Sequence, residues 1–151
     1  MIFYLAARYS RRLELCGYRS ELEKLGHSVP ERWLNGEHQV HGGEAVQAIE
    51  SDGSVPVGQA VLFAEDDVED LLASDVLVAF TESPRTPLAS RGGRHVEFGI
   101  ALGLRRAGVS AHRIYVVGPA ENVFHALPEV EGRFANWGEF LDHLAGDRWW
   151  R

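Results

Sequence analysis

Asp75-Val-Leu-Val-Ala-Phe-Thr81 decides the fold. Every residue from Val76 to Phe80 is apolar, with no polar alternation. A half-buried strand alternates, whereas a strand covered on both faces reads as a continuous apolar run, so this segment is predicted to be a buried parallel strand. Before it, Ala60, Val61, Ala64, Val68, Leu71 and Leu72 recur at helical spacing over about 57–73. After it come a loop with Pro84 and Pro87 and then a helix over about 93–107, with Val96, Ile100 and Leu104 on one stripe and Gly108 to end it. Two further apolar runs, Ile2-Phe-Tyr-Leu-Ala-Ala and Arg113-Ile-Tyr-Val-Val-Gly118, read as companion strands. Between the first two strands, Ser10 is a candidate N-cap for a helix over about 11–25. That helix would carry Leu15, Tyr18, Leu22 and Leu25, with Gly26 placed to end it. His27 to Trp33 reads as a peripheral strand, because Pro30 cannot serve a central ladder. Residues 35–56 hold several glycines and little periodicity, which predicts an inserted loop or flap. A capping box of Asn136 and Glu139 opens a last helix through Phe140, Leu141 and Leu144.

Strands alternating with helices imply a single α/β domain, a Rossmann-like or flavodoxin-like parallel sheet with helices on both faces. Ligands bind such sheets outside the carboxyl ends of the strands. That rule selects three loops: Ala6–Arg12, Thr81–Arg94 and Gly118–His125.

The chain has 151 residues, 45% of them hydrophobic and 25% charged. That suits one soluble domain with one sizeable core. A formal charge of −7 argues against a nucleic-acid polymer as partner, since neutralising phosphates needs a basic surface. No apolar run approaches the roughly 18 residues of a membrane span. The N-terminal apolar run lacks the basic stretch of a signal peptide. Cys16 is the single cysteine, so no intrachain disulfide can form, and a cytoplasmic setting is expected. It lies in a helix without an activating partner and reads as a packing residue. Nearly all the positive charge is arginine, with Lys24 the one lysine, a bias that genome composition explains. Neither a Walker A run, nor GxGxxG, nor a GxSxG elbow is present. His38 and His41 lack thiolate or HExxH support and read as surface histidines, so neither a metal nor a cofactor is expected.

Chemistry points to Arg91-Gly-Gly-Arg-His-Val-Glu-Phe-Gly99. Gly92 and Gly93 let the backbone approach a ligand closely. Glu97 falls in about the first helical turn, where the helix dipole favours its ionised form. Arg94, three residues earlier on the same helical face, is placed to hold that carboxylate and lower its pKa. An ionised carboxylate at the ligand edge of the sheet is what a carboxylate nucleophile needs. Alternatively, the Arg–Glu pair only stabilises the helix start. Within Ala64-Glu-Asp-Asp-Val-Glu-Asp70 the acidic residues form a solvated face, with Asp67 set apart for the reason below. Tyr4 is either a core aromatic or a site residue. Arg8, at the end of the first strand, could meet a ligand phosphate or pair with an acid, while Arg11 and Arg12 read as surface arginines.

These residues resemble the nucleoside 2-deoxyribosyltransferase superfamily, which includes deoxynucleoside 5′-monophosphate N-glycosidases. The resemblance rests on Ile2-Phe-Tyr-Leu-Ala-Ala, on Asp66-Asp-Val-Glu-Asp-Leu-Leu-Ala-Ser-Asp-Val-Leu-Val, and on Gly92-Gly-Arg-His-Val-Glu-Phe-Gly-Ile-Ala-Leu-Gly, in that order and spacing. It implies that Glu97 attacks C1′ to form a covalent glycosyl-enzyme, that Asp67 helps protonate the departing base, and that Tyr4 orients the glutamate. A second base or water then takes the sugar, the two-step logic of retaining glycosidases applied to an N-glycoside. Transferases of this superfamily tend to carry an aspartate six residues before the glutamate, where this chain has Arg91 beside Ser90. The monophosphate hydrolases place small hydroxyl residues and arginines there, a role open to Ser90, Arg91 and Arg8. The resemblance also implies a homo-oligomer in which a neighbour's loop completes the pocket. Gly118-Pro-Ala-Glu-Asn-Val-Phe-His125 is the candidate loop, with Asn122 as polar contact, or else a simple turn before a strand.

Two other readings compete. Cytokinin-activating phosphoribohydrolases also place a glutamate after a Gly-Gly loop, but Leu88-Ala-Ser-Arg-Gly-Gly-Arg lacks their Pro-Gly-Gly-x-Gly-Thr run. A nucleotide-binding module without catalysis would tolerate Glu97→Gln. The discriminator is whether Tyr4, Asp67 and Glu97 converge in the folded chain.

Overall fold

The structure, a computed structural model, describes residues 1–36, 57–82 and 92–146. The expected loop over 35–56 falls, from residue 37 on, outside the described residues, as do Ser90, Arg91, His38 and His41.

Four strands, β1 (Phe3–Ala6), β2 (Val76–Phe80), β3 (Arg113–Val117) and β4 (Val130–Phe134), form one parallel sheet in the order β1-β2-β3-β4. Among the described residues four α-helices accompany them: α1 (Arg12–Lys24), α2 (Val57–Leu72), α3 (Gly93–Arg106) and α4 (Trp137–Gly146). The single-domain α/β reading holds. β1 and β2 are buried along their whole length, as their unbroken apolar runs require. Ile2 also bridges Ser28 in parallel, so the chain after α1 touches the outer edge of β1.

Register divides the two faces. Phe3, Val76 and Arg113 lie side by side, as do Leu5, Val78 and Tyr115. Phe3 meets Phe140 of α4 edge-on, and Phe80 packs against Tyr18 of α1 and Trp137 of α4. Tyr18 stacks on Trp137 with ring centroids 4.4 Å apart, and Trp137 Nε1 donates to Glu21 at 2.5 Å. Thus α1 and α4 cover one face. The alternate residues, including Tyr4, face α2 and α3, which pack on each other and, through α3, on β1 and β2. Aromatic packing of this kind adds about 0.5–1.5 kcal/mol per pair beyond the area it buries.

Helix ends follow the sequence, with one exception. His27 N–H donates to Leu22 and Gly26 N–H to Glu23, a Schellman ending with Gly26 at φ 85°. Gly108, at φ 69°, ends α3 in the same way. Asn136 Oδ1 accepts from Glu139 N–H at 3.1 Å, the expected half of the capping box. Glu139 reaches back one residue further than expected, to the N–H of Ala135. Ser10 is not a cap. It lies inside a 3-10 turn (Tyr9–Arg11), and Arg11 holds the cap position without a side-chain bond.

Four expectations are corrected. His27 to Trp33 is not a strand: after the single bridge at Ser28 the chain enters a 3-10 turn (Arg32–Asn35), because Pro30 offers no N–H to continue a ladder. The core stripe of α3 is Arg94, Phe98, Ala101 and Leu102, whereas Val96 is 63% exposed. Both stripes fit a 3.6-residue period, and the sheet selects the one that presents Phe98. In the flanking helices Leu25, Val61 and Leu72, taken as core residues, are exposed. β4 escaped the sequence reading, because Glu131, Gly132 and Arg133 interrupt its apolar run at the sheet's edge.

The turn after β3 rests on Gly118. Its φ is +115°, and a Cβ there would lie 2.5 Å from Thr81 Oγ1 and 3.0 Å from the Thr81 carbonyl oxygen. Both backbone strain and a backbone clash oppose any side chain. Gly118→Ala is expected to destabilise the domain by about 1–3 kcal/mol. Urea denaturation should show the midpoint falling at an unchanged slope, and an unshifted midpoint would refute this account of the turn.

Candidate active site

Three elements bring one carboxyl-rich cluster together at the sheet. Tyr4 projects from β1 toward α2 and α3 and is fully buried. Asp67 stands one helical turn before Leu71, the fully buried anchor of α2. Glu97 is the fifth residue of α3, at the start of its second turn rather than in its first. There the helix dipole contributes little, since its effect fades within one turn.

Tyr4, Asp67 and Glu97 converge, each within electrostatic reach of the other two. The Tyr4 hydroxyl is buried and none of its contacts reaches full hydrogen-bond geometry. It stands near enough to Glu97, however, to favour the ionised carboxylate. Burial, then repulsion from Glu97 and Asp67, pushes the Tyr4 phenol well above its ordinary pKa of 10.0, so it remains a donor.

The expected lowering of the Glu97 pKa is overturned. Its carboxyl is pushed up from 4.5 to about 8, chiefly by burial and then by the charge of Asp67. Tyr4 and Arg94 pull the other way and are outweighed. Arg94 is itself buried, and its guanidinium is ion-paired with Glu121 in the loop after β3. The residue expected to clamp Glu97 therefore ties α3 to that loop and acts on Glu97 only as a nearby charge.

A third carboxyl was missed. Glu31 is 1% exposed and lies behind β1. Both its carboxyl oxygens accept from the Leu5 N–H at 3.0 Å, and Oε2 also accepts from Trp33 Nε1 at 2.9 Å. Burial raises its pKa well above the carboxylate range, and Glu97 adds to the rise. The one signal in the sequence was its place next to Pro30, where the strand had to fail.

The remaining candidates divide. Arg8 follows β1 in an extended backbone, partly exposed, and its side chain forms no ion pair or hydrogen bond among the described residues. Gly92 and Gly93 open α3 without a positive φ, and a Cβ at Gly93 would meet nothing within 4 Å, which leaves open space at the helix start. Asn122 is not part of the Tyr4–Asp67–Glu97 cluster. Its Oδ1 accepts from Phe124 N–H at 2.9 Å, capping a short 3-10 turn (Val123–Ala126), and its Nδ2 meets His125 Nε2 at 3.1 Å. Asn122 also lines a groove of about 730 Å³ with His95, Phe98, Gly99, Glu121 and Phe124. Among the described residues no group of three or more His, Cys, Asp or Glu side chains is placed to hold a metal ion. No described helix is long and apolar enough to cross a membrane.

Two neighbouring carboxyls in a low-dielectric site cannot both ionise easily, and the charge of Asp67 helps to keep the proton on Glu97. Such a pair offers an acid and a base side by side. Comparison of the chain with known protein families and with curated proteins gave no match.

The raised pKa makes stability depend on pH. Between pH 4.5 and about 8 the folded state keeps the Glu97 proton while the unfolded chain has lost it, so stability falls as pH rises through that window. Glu97→Gln removes this term. The variant is expected to be more stable than the wild type at pH 8.5, with the gap closing toward pH 4.5. Thermal melts across that range check this, and a gap that widens toward low pH would show the carboxyl to be ionised in the fold.

Proposed function

We propose that this protein is an enzyme acting on N-glycosidic bonds. Within that class we infer a nucleoside 2-deoxyribosyltransferase-like reaction: cleavage of a (2′-deoxy)nucleoside or nucleotide through a covalent glycosyl-Glu97 intermediate. The convergence of Tyr4, Asp67 and Glu97 on one face of the sheet carries the reading. It is the arrangement that the resemblance implies, and a binding module would not need it.

The chemistry balances on the single proton of the pair. In the reactive form Asp67 carries it and Glu97 is ionised, with the Tyr4 hydroxyl favouring that charge. The Glu97 carboxylate attacks C1′, the C1′–N bond breaks, and the departing base takes the proton from Asp67. A second base, or water, then gives its proton to the Asp67 carboxylate as it attacks C1′, and the C1′–O bond to Glu97 breaks, which restores the starting pair. In the empty site the proton rests mainly on Glu97, so binding must move it to Asp67. Burial also makes the ionised carboxylate a stronger nucleophile than one in water.

A monophosphate N-glycosidase is the second reading, and Arg8 favours it. An arginine at the carboxyl end of β1 with no ion partner among the described residues suits a 5′-phosphate. Self-association also fits, since Val123 and Phe124 present 80% and 58% of their surface beside the α3 groove. A cytoplasmic setting accords with the single cysteine.

Chromatography of free base released from nucleosides and their monophosphates, with and without a second base, tests the proposal. Glu97→Gln should reduce release by about 10³-fold or more. Dependence on the second base marks a transferase, and release without it a hydrolase. For the wild type, kcat/KM should fall as pH rises through about 8, where the pair loses the proton that the leaving base needs. Arg8→Ala should raise KM about ten- to a hundredfold for monophosphates and leave nucleosides unaffected. Failure of every substrate would favour the binding module.

A further inference from the structure

Glu31 and Arg32 are adjacent, yet they reach opposite sides of the cluster. Glu31 turns inward, where its carboxyl takes the Leu5 N–H, one residue beyond Tyr4. Arg32 turns toward α2 and grips it at four points. Its backbone N–H and its Nε donate to Asp70 at 2.7 and 3.0 Å, and its Nη1 donates to Asp66 Oδ1 at 2.5 Å. Its Nη2 donates to the Asp66 carbonyl oxygen at 2.8 Å and to Glu69 Oε2 at 3.1 Å. That carbonyl belongs to the peptide bond between Asp66 and Asp67. The guanidinium thus holds the backbone from which Asp67 projects. Asp66 and Asp70, one turn apart, both turn to Arg32, leaving Asp67 on the neighbouring stripe above Leu71, toward the sheet.

We propose that the Glu31-Arg32 dipeptide is the positioning element of the site, with Arg32 setting the approach of Asp67 to Glu97 and Glu31 holding the strand that carries Tyr4. Neither residue touches the reacting atoms. Asp66 and Asp70 are then the complement of one arginine, while Glu65 and Glu69 stay on the solvated face. Only a planar fork with several donors can serve three carboxylates and a backbone carbonyl at once, and a lysine cannot.

The assignment of a catalytic purpose rests on the glycosyl reading, but the bracing can be tested without substrate. Glu97 faces Asp67 from α2, Tyr4 from β1, Glu31 from the edge segment and Arg94 from its own helix, so its titration reports how near Asp67 stands. The experiment is carbon-13 NMR titration of the glutamate carboxyls of the full chain, wild type against Arg32→Lys and Arg32→Gln. Arg32→Lys keeps the charge and loses the fork. If Asp67 swings away, the Glu97 midpoint falls from about 8 toward the ordinary carboxylate range. Simple loss of a cation, in Arg32→Gln, would raise it, so a fall in that variant too is the mark of movement. A midpoint that stays or rises in both variants overturns the proposal. If one variant fails to fold, the other decides by the same criterion. In the base-release assay both variants should lose about ten- to a hundredfold in kcat with little change in KM. If the wild type releases no base, the glycosyl reading falls while the titration still decides the bracing.

Discussion

The buried outer edge of β1 is the constraint on which the rest depends. A strand inside the core must satisfy its backbone N–H groups on both edges, because an orphaned amide away from water costs about 1–3 kcal/mol. β2 serves one edge of β1. On the other, Ser28 provides one bridge and Pro30 then ends the ladder. The Leu5 N–H is completed instead by the carboxyl of Glu31. That substitution draws an acid into the core beside Tyr4, turns the chain into a 3-10 bend, and points Arg32 at the acidic face of α2. A side chain replaces an edge strand, and the site is assembled from the consequences.

Assembling acids this way has an energetic cost. Glu31 and Glu97 both lose hydration, and a neighbouring carboxylate adds to each rise: Glu97 for Glu31, Asp67 for Glu97. Nothing in packing requires them to be neighbours, and a domain selected for stability alone would separate them. The strain is relieved by protonation, which is why the cluster carries a proton at pH values where isolated carboxyls have none. Hydrogen-bond donors moderate it without removing it: Trp33 toward Glu31, and Tyr4 toward Glu97. The site is a group of partly compensated acids, held by β1, α2 and α3.

Arg94 shows how a local pattern misleads about such a site. An arginine three residues before a glutamate on one helix face predicts a pair. The pair does not form, because Glu121, distant in sequence, reaches the same guanidinium from the loop after β3. The contact serves the architecture by joining two of the three loops at the carboxyl edge. Arg94 still lowers the Glu97 pKa as a nearby charge, but burial outweighs it and decides the protonation.

Local sequence determined what depends on local physics. Continuous apolar runs specified β1, β2 and β3, because a strand buried on both faces tolerates no polar position. Gly26 and Gly108 specified helix ends, because the left-handed conformation there favours residues without a Cβ. The order of these elements fixed a parallel sheet, and with it the edge where Tyr4, Asp67 and Glu97 meet. Tertiary structure alone decided the phase of α3, since two stripes of equal period compete and only contact with the sheet chooses Phe98 over Val96. It alone revealed β4, whose charged residues are tolerable only at a sheet edge. It alone placed Glu31 and Arg32, whose partners lie 26 and 34–38 residues away. A pKa or a hydrogen bond depends on everything within a few ångströms, and for these residues those neighbours come from distant parts of the chain.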